Sequence, residues 1–349
     1  MKKLLLASAL VSTVDGALIT VFSGGSIQQA IDQSQDGDVI EVHAGTYNEN
    51  IDFGGREVFL RSAEGPEETV INGGDSGTTV AIRDSAEISG FTITGGSNSF
   101  GGGLSVGGIG TIISGNIFSG NRGTGAAIWG NSASPVILGN IFRENSSDNQ
   151  FLSAAVSFVN SSSPIIQNNV FSNNFGRGLN FTLPVGSSPV VSNNTFWGNT
   201  AAIRVDGRVP TSAITFQNNI LGSNAIALEV DFFSSSFAEW NNNLLFDNLI
   251  DYDGITDFSG VDGNFQGDPM FVDSAMEDFR LLPDSSAVDA GLNALSPIVD
   301  FEGNRRPFDG DLDGISIVDI GAFEFVPEPS GLFLVYSAFF FFFGRRIRT

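Results

Sequence analysis

The side chains of this sequence that could carry chemistry are mostly acidic, and the densest group lies near the C-terminus. In the segment DGDLDGISIVD, Asp309, Asp311 and Asp313 match positions 1, 3 and 5 of an EF-hand-like calcium loop. Position 12 holds Ile320 where Glu is expected, and Asp319 stands one residue earlier. The expected Ca²⁺ ligands are Asp309, Asp311, Asp313 and Asp319. Such an ion would staple the C-terminal part of the chain, and the alternative is a solvated acidic turn.

Catalytic carboxylates are harder to find in the middle of the chain. The acidic residues between positions 87 and 224 are Glu87, Glu144, Asp148 and Asp206. Glu144 and Asp206 lie about 2.5 repeats apart, roughly 12 Å at strand spacing, which is wider than the ~5–9.5 Å between glycosidase carboxylates. Glu144 and Asp148 either pair within an inserted loop or are solvated loop charges. No catalytic residue is identified.

Composition excludes several other kinds of site. The chain has 349 residues, no Cys and one histidine, His43, so disulfides, thiolate chemistry and a multi-His metal site are excluded. We expect His43 to occupy a structural turn. The net charge of −23 argues against nucleic acid and against an anionic membrane surface as partners. Trp129, Trp197 and Trp240 either line a sugar-stacking surface or pack in the core or at a groove edge.

The elements that must position these residues are short repeats. The unit Asn-apolar-Phe recurs at steps of 24 to 25 residues with one step of 29, beginning at Asn116, Asn140, Asn169 and Asn194 and continuing in altered form at Asn219 and Asn243. Short β-rich runs separated by Gly, Asn and Ser predict three strands per repeat. We expect an all-β parallel β-helix of about ten coils over residues 17–265. Its turn asparagines should tolerate left-handed backbone and hydrogen-bond to their copies in neighbouring coils.

The start of the body predicts a cap. In SIQQAIDQSQDGD, Ser26 is expected to be the N-cap of a short helix, with Gln29 completing a capping box and Gly37 ending the helix. The continuation carries Gly37-Asp38, Gly45-Thr46-Tyr47 and Glu49. It resembles the opening of β-helix proteins of the pectin-esterase and pectate-lyase type, and this resemblance implies a right-handed β-helix.

A closing module is expected at residues 266–325. The motifs GDPMFVD, DFRLLPDSSAVDAG and DFEGNRRPFDGDLDG…VDIGAFE follow one another in this segment. They resemble the closing module of bacterial β-helix repeat surface proteins. The resemblance implies that the segment forms the last coils and their cap.

Both termini are interpreted as targeting segments. Residues 1–16 have a basic pair followed by a short apolar run, which predicts a signal peptide. Residues 326–349 carry Pro327, Glu328 and Pro329, then an apolar run and an arginine cluster. This order resembles the bacterial PEP-CTERM sorting signal. The resemblance implies processing by an exosortase-type enzyme in a Gram-negative bacterium, with a transient membrane anchor, and the alternative is a plain C-terminal anchor.

These features lead to two hypotheses for function. The first is an exported, non-enzymatic β-helix protein at the cell surface or in the matrix, structural or adhesive, with extracellular polysaccharide as a partner. The alternative is a polysaccharide lyase or glycoside hydrolase. A lyase needs a basic residue to abstract a proton, often with Ca²⁺, and pectin-esterase-like catalysis needs two Asp and an Arg on adjacent coils. The chain has no Lys after Lys3.

Overall fold

The computed structural model describes residues 16–146, 154–183, 186–206, 214–231 and 238–327. The predicted signal peptide therefore lies outside the described residues except for Gly16, and the predicted sorting segment lies outside them except for Val326 and Pro327. Glu328, Pro329 and Asp148 are also outside. No helix of the described part of the chain is long and apolar enough to cross a membrane.

Three parallel sheets form the body, and the chain visits them in turn, once per coil. The strands of sheet A are Leu18–Val21, Val39–Val42, Phe59–Ser62, Glu87–Ser89, Ile109–Ser114, Ser134–Leu138, Ile165–Gln167, Val190–Ser192, Ile214–Gln217 and Ala238–Asn241. The strands of sheet B are Gly45–Tyr47, Thr69–Asn72, Thr92–Thr94, Ile117–Ser119, Ile141–Arg143, Val170–Ser172, Thr195–Trp197, Ile220–Gly222, Leu244–Phe246 and Phe265–Gln266. The strands of sheet C are Ile51–Asp52, Val80–Ile82, Leu104–Val106, Ile128–Asn131, Ala154–Val159, Arg177–Thr182, Ala201–Asp206, Ile226–Asp231 and Ile250–Asp253. Sheets of ten, ten and nine strands correspond to nine to ten coils, which confirms the predicted β-helix.

Among the described residues, two strand pairs lie outside the three sheets. Ser97–Phe100 pairs with Arg122–Thr124 in parallel, between sheets B and C along the chain. Phe271–Asp273 pairs with Asp278–Leu281 in an antiparallel hairpin, whose connection contains the 3₁₀ turn Ser274–Met276.

The core is built of side chains that stack on their copies one coil away. Phe118, Phe142, Phe171 and Phe196 come from the Asn-apolar-Phe units, and their rings are stacked with centroids 5.1, 4.7 and 4.5 Å apart. All four are fully buried. Because each coil places the same residue at the same point, the hydrophobic surface of one coil is covered only when its neighbours are present.

Asparagine side chains form two ladders, one just before and one just after the strands of sheet B. The first ladder runs through Asn116, Asn140, Asn169, Asn194, Asn219, Asn243 and Asn264, with amide-to-amide distances of 2.9–3.1 Å. The second ladder lies five residues further along each coil and contains Asn121, Asn145, Asn174, Asn199, Asn224 and Asn248. The first ladder was expected from the repeats. The left-handed backbone, however, belongs to the residue before each ladder asparagine, as at Asn168 and Asn193, with φ of 53° and 54°.

The N-terminal helix, Ile27–Gln33, caps the first coil and buries Ile27, Ala30 and Ile31. Ser26 is its N-cap and accepts a hydrogen bond from the Gln29 amide at 3.1 Å, as expected. The carboxylate of Glu49, from the following coil, accepts hydrogen bonds from the amides of Ile27 and Gln28. The helix ends at Gln33 with Ser34 as C-cap, and thus before the expected Gly37.

The closing module packs along one flank of the coils instead of extending the stack. Phe265–Gln266 is the last strand in sheet B, and the chain then turns back across earlier coils. Side-chain amides of Asn168 and Asn218 donate to the carbonyls of Val299 and Leu292 at 2.6 and 2.9 Å. Two apolar clusters join the module to the outer side of sheet B, so both sides of that sheet are buried here.

Candidate functional site

The outer side of sheet C carries one continuous column of in-register side chains. The column contains Ala81, Ser105, Trp129, Ser157, Asn180, Arg204 and Glu229. Alternation along each strand turns the neighbouring residues, such as Ile128 and Ile203, into the core. Small residues, an aromatic residue, amides and charges therefore succeed one another along a single line parallel to the helix axis.

A groove of about 570 Å³ opens at one end of this column, where the side chains are small. Its floor includes Ala81 and Ser105, and its polar lining includes Arg83, Asn98 and Asn131. The groove exists because small side chains occupy the column here, whereas the next coil places the large Trp129 at the equivalent position.

An aromatic pair stands beside the groove. Phe100, which lines the groove and is 55% exposed, contacts Trp129 with ring centroids 4.9 Å apart. Phe100 reaches this position from the extra strand Ser97–Phe100. Gly101 follows with a φ of 75°, and a Cβ there would lie 2.7 Å from the Leu104 carbonyl oxygen. Glycine at this turn therefore allows the extra strand to carry Phe100 next to Trp129.

The other end of the column is a network of ion pairs. Arg177 binds Glu229 through two hydrogen bonds of 2.7 and 2.8 Å, a bidentate arrangement. Arg204, with a side chain only 7% exposed, donates to Asn180 at 2.8 Å and to Asp231 at 3.0 Å. Asp231 is 40% exposed and is the most open carboxylate of these pairs. The network thus holds both guanidinium groups in place and presents one carboxylate to solvent.

Asp206 lies next to this network on the adjacent strand. It is the in-register partner of Asp231 and is itself buried. Asp206, Asp231 and Arg204 therefore form a group of two aspartates and one arginine on adjacent coils. This is the residue set that pectin-esterase-like catalysis would require.

The sequence prediction missed this group because it compared Asp206 with Glu144 and not with Asp231, which lies beyond residue 224. The signal was present in the repeats, since AIRVD at residues 202–206 aligns with ALEVD at residues 227–231 at a step of 25. Reading alternate positions of these strands places Arg204 beside Glu229 and Asp206 beside Asp231. Asp206 and Glu144 do not face one cleft, because Glu144 lies in the turn after a sheet B strand with a φ of 55°.

Three other residues considered in the sequence analysis, His43, Trp197 and Trp240, have packing roles. Nδ1 of His43 is hydrogen-bonded to Oε1 of Glu64 at 2.8 Å, and the imidazole ring stacks on Phe22 with ring centroids 4.7 Å apart. Trp197 packs against Phe271 and Phe279 under the closing module. Trp240 is buried in the core. Of the three tryptophans, Trp129 is the one on the outer side of sheet C.

A cluster of three carboxylates forms in the closing module. Ligand atoms of Asp289, Asp309 and Asp311 all lie within 4.8 Å of one another. Desolvation and the nearby Asp311 charge raise the pKa of Asp289, while amide hydrogen bonds, including that of Asp311, act against them. Oδ1 of Asp309 is buried and has no hydrogen-bond partner. Three oxygen donors in this arrangement suit a hard cation such as Ca²⁺.

The structure brings together two of the four predicted calcium ligands. Asp309 and Asp311 belong to the cluster, and Asp289, from an earlier loop, joins them. Asp313 instead accepts a hydrogen bond from the Ile315 amide in an exposed turn. Asp319 is turned away from the cluster, because its two oxygens accept the amides of Asp289 and Phe325. The contribution of Asp289 could not be found from the loop motif, since it lies 20 residues before Asp309.

Asp319 belongs to a second, buried group of charges. Arg306 is ion-paired with Glu324 at 3.2 Å, and both side chains are fully buried. Burial and the Glu324 charge raise the pKa of Asp319 to about 8. Burial also raises the pKa of Glu324 to about 7, opposed by the Arg306 charge. Arg306 further donates to the carbonyls of Asp319 and Gly321, so this group ties together the last segment of the module.

The arrangement defines a parallel β-helix with polar and aromatic side chains on the outer side of one sheet. A family model described as "Right handed beta helix region" matches residues 78–264, more than half of the chain, and the protein belongs to this family. The match confirms the right-handed form expected from the sequence.

Solved structures show the same fold at low sequence identity. A pectin methylesterase from carrot is 11% identical, with a TM-score of 0.51 over 73% of this chain and 89% of that one. The pectate lyase Pel9A is 14% identical, with a TM-score of 0.52 over 89% of this chain and 97% of that one. No curated protein matches the chain. At these identities the likeness establishes the fold alone.

We predict that the stability of the closing module falls as pH rises from about 5 to about 8. The pKa values of Asp319 and Glu324 are raised above their ordinary values of 3.8 and 4.5, so the folded state binds more protons than the unfolded state in this range. Stability present at low pH is therefore lost as pH passes through 7 and 8. Urea unfolding followed by tryptophan fluorescence measures this, because Trp197 lies beneath the module.

Asp319→Asn should flatten this pH dependence, because it removes one of the two titrating groups. Asp313→Asn, in an exposed turn of the same module, is the matched control and should retain the wild-type slope. Equal slopes in the wild type and in Asp319→Asn would show that the buried acids do not control the stability of the module.

Proposed function

We propose that this protein is exported, resides at the cell surface or in the extracellular matrix, and binds extracellular polysaccharide along the outer side of sheet C without catalysing a reaction. The observation that carries the proposal is the groove beside Phe100 and Trp129, at the end of the sheet C column where the side chains are small. The groove combines an exposed aromatic surface with amide and hydroxyl groups, the mixture typical of ligand sites.

The form of the face also suits a linear polymer. Equivalent positions recur at about 4.8 Å along the axis, the distance between neighbouring strands. Within the groove, successive sugar units could therefore meet equivalent positions on neighbouring coils, such as Ala81 and Ser105. Further along the column Ser157, Asn180 and Arg204 are buried. The two related structures carry names that refer to pectin and pectate, which supports polysaccharide as a ligand class for this scaffold.

A second candidate is an enzyme acting on polysaccharide. It is favoured by the two aspartates and the arginine on adjacent coils, Asp206, Asp231 and Arg204. Two features weigh against it. Arg204 and Arg177 are committed to internal ion pairs, and Asp206 is buried, which leaves Asp231 as the open carboxylate of the group.

We predict that Trp129→Ala weakens binding of the purified protein to its preferred immobilised polysaccharide. An aromatic anchor at the centre of a contact contributes about 2 kcal/mol or more, which corresponds to roughly 30-fold in affinity. Binding is measured across polymers that include pectin, alginate and neutral glucans. Phe22→Ala removes an exposed aromatic residue far along the chain from the groove and should bind as the wild type does.

The same incubations separate binding from catalysis. We expect every polymer to keep its length, its ester content and its saturation. Shortened, de-esterified or unsaturated products that disappear in Asp231→Asn would establish the enzyme in place of the binding protein.

We propose further that the C-terminal segment serves as a sorting signal and that an exosortase-type enzyme removes it. The support is the order Pro327, Glu328, Pro329, apolar run and arginine cluster. Membrane association would then occur through this segment alone. We predict that the mass of the protein released from cells corresponds to cleavage near residues 327–330, and a mass that retains Arg348 would contradict sorting.

We also propose that Asp289, Asp309 and Asp311 bind Ca²⁺ and that the ion staples two loops of the closing module. The unpartnered Oδ1 of Asp309 supports this, because a buried carboxylate oxygen without a donor is costly unless a cation compensates it. In this arrangement Asp309 and Asp311 come from one loop and Asp289 from another.

We predict that Ca²⁺ raises the melting temperature of the protein and that Asp289→Asn abolishes the rise. Ca²⁺ at about 100 times its dissociation constant adds about 2.7 kcal/mol, which corresponds to several degrees. Asp313→Asn should keep most of the rise, because Asp313 is outside the cluster. A rise lost in Asp313→Asn but kept in Asp289→Asn would restore the ligand set expected from the sequence.

A further inference from the structure

The charges around the groove identify the kind of polysaccharide that it fits. This inference rests on the proposed binding function and concerns its ligand class. Recognition of an acidic sugar requires cations, or a bridging metal, whose charge is not already neutralised. The pairing of the cations on the outer side of sheet C, within the described part of the chain, therefore decides whether an acidic sugar can bind.

The arginine that lines the groove is already paired. Arg83 donates to Asp52 at 2.6 Å, on the neighbouring coil, and the pairing holds the pKa of Asp52 below its usual range. At the far end of the column, Arg177 is paired with Glu229 and Arg204 with Asp231. Arg83 and the arginines of sheet C thus each have a carboxylate partner. Arg122, on the strand that pairs with Ser97–Phe100, is exposed and has no ion pair among the described residues, but it does not line the groove. The chain has no lysine after Lys3.

The net charge of the central coils also favours a neutral ligand. Residues 85–225 contain four acidic side chains and five arginines, so these coils are close to neutral, whereas the whole chain carries −23. A polyuronate approaching this face would meet no net positive field from it and would be repelled by the rest of the molecule. An uncharged polymer meets no such barrier.

The groups that remain available suit uncharged sugars. Phe100 and Trp129 present aromatic surface against which the C–H side of a sugar ring can pack. The Ser105 hydroxyl and the side-chain NH₂ of Asn131 can meet sugar hydroxyls. The Asn98 side chain is engaged within the protein, because it donates to Thr78 and accepts from the Phe100 amide. Contacts of both kinds are independent of ligand charge.

We propose that the groove beside Phe100 and Trp129 binds a neutral polysaccharide and rejects polyuronates. Binding then depends on aromatic packing and on neutral hydrogen bonds. It is insensitive to salt, because no exposed ion pair between protein and ligand is formed.

Affinity gel electrophoresis of the full-length protein tests this proposal. The gels contain either a neutral polymer, hydroxyethyl cellulose or dextran, or a polyuronate, polygalacturonate or alginate, each at low and high salt and with or without Ca²⁺. We expect retardation by a neutral polymer at both salt concentrations and none by the polyuronates. Phe100→Ala changes an exposed side chain and leaves the core intact. It should weaken the affinity for the neutral polymer about tenfold, and Trp129→Ala should weaken it at least as much.

Phe22→Ala is the matched control and should bind the neutral polymer as the wild type does, because Phe22 is outside the groove. Arg83→Gln removes the arginine that lines the groove and therefore tests whether its charge takes part in binding. Retardation by a polyuronate, with or without Ca²⁺, that falls at high salt or in Arg83→Gln would overturn the neutral ligand class while leaving polysaccharide binding intact. Absence of retardation by every polymer would overturn both.

Discussion

Alignment of each coil with the next is the constraint on which the rest of this structure depends. Parallel strands one spacing apart force every side chain to lie against its counterpart in the neighbouring coil. Asparagine satisfies this demand at the turns, because its amide can donate to the copy on one side while its oxygen accepts from the copy on the other. Phenylalanine satisfies it in the core by stacking. A sequence that repeats at 24 to 25 residues is the direct result.

The same constraint creates the functional face. Residues at one position of sheet C are necessarily collinear, so a change of residue type from coil to coil becomes a change of surface along a line. Ala81 and Ser105 leave space, and Trp129 closes it. Further on, Arg204 and Glu229 are in-register neighbours. Arg204 binds a carboxylate of the adjacent coil, and Arg177 binds a carboxylate two coils away. Groove and ion-pair network are thus two consequences of one alignment.

Much of this arrangement could be predicted from the sequence, and the parts that could not have a physical reason. The period predicted the coil and the first asparagine ladder, because these depend on residues that repeat at fixed distance. The groove depends on Phe100, which arrives from an extra strand with no counterpart among the predicted repeats. The carboxylate cluster of the closing module depends on Asp289, which only tertiary structure brings to Asp309. Contacts of that kind leave no periodic trace.

The flank position of the closing module changes how the stack can come apart. In a simple repeat array each coil contacts only its neighbours, so the terminal coil can fray alone at little cost. Here the segment that follows the last coil is bonded to Asn168 and Asn218, in coils well inside the stack. Loosening the end therefore requires breaking contacts with the interior as well. The module therefore couples the terminal coils to the interior coils, so that the stack unfolds as one cooperative unit.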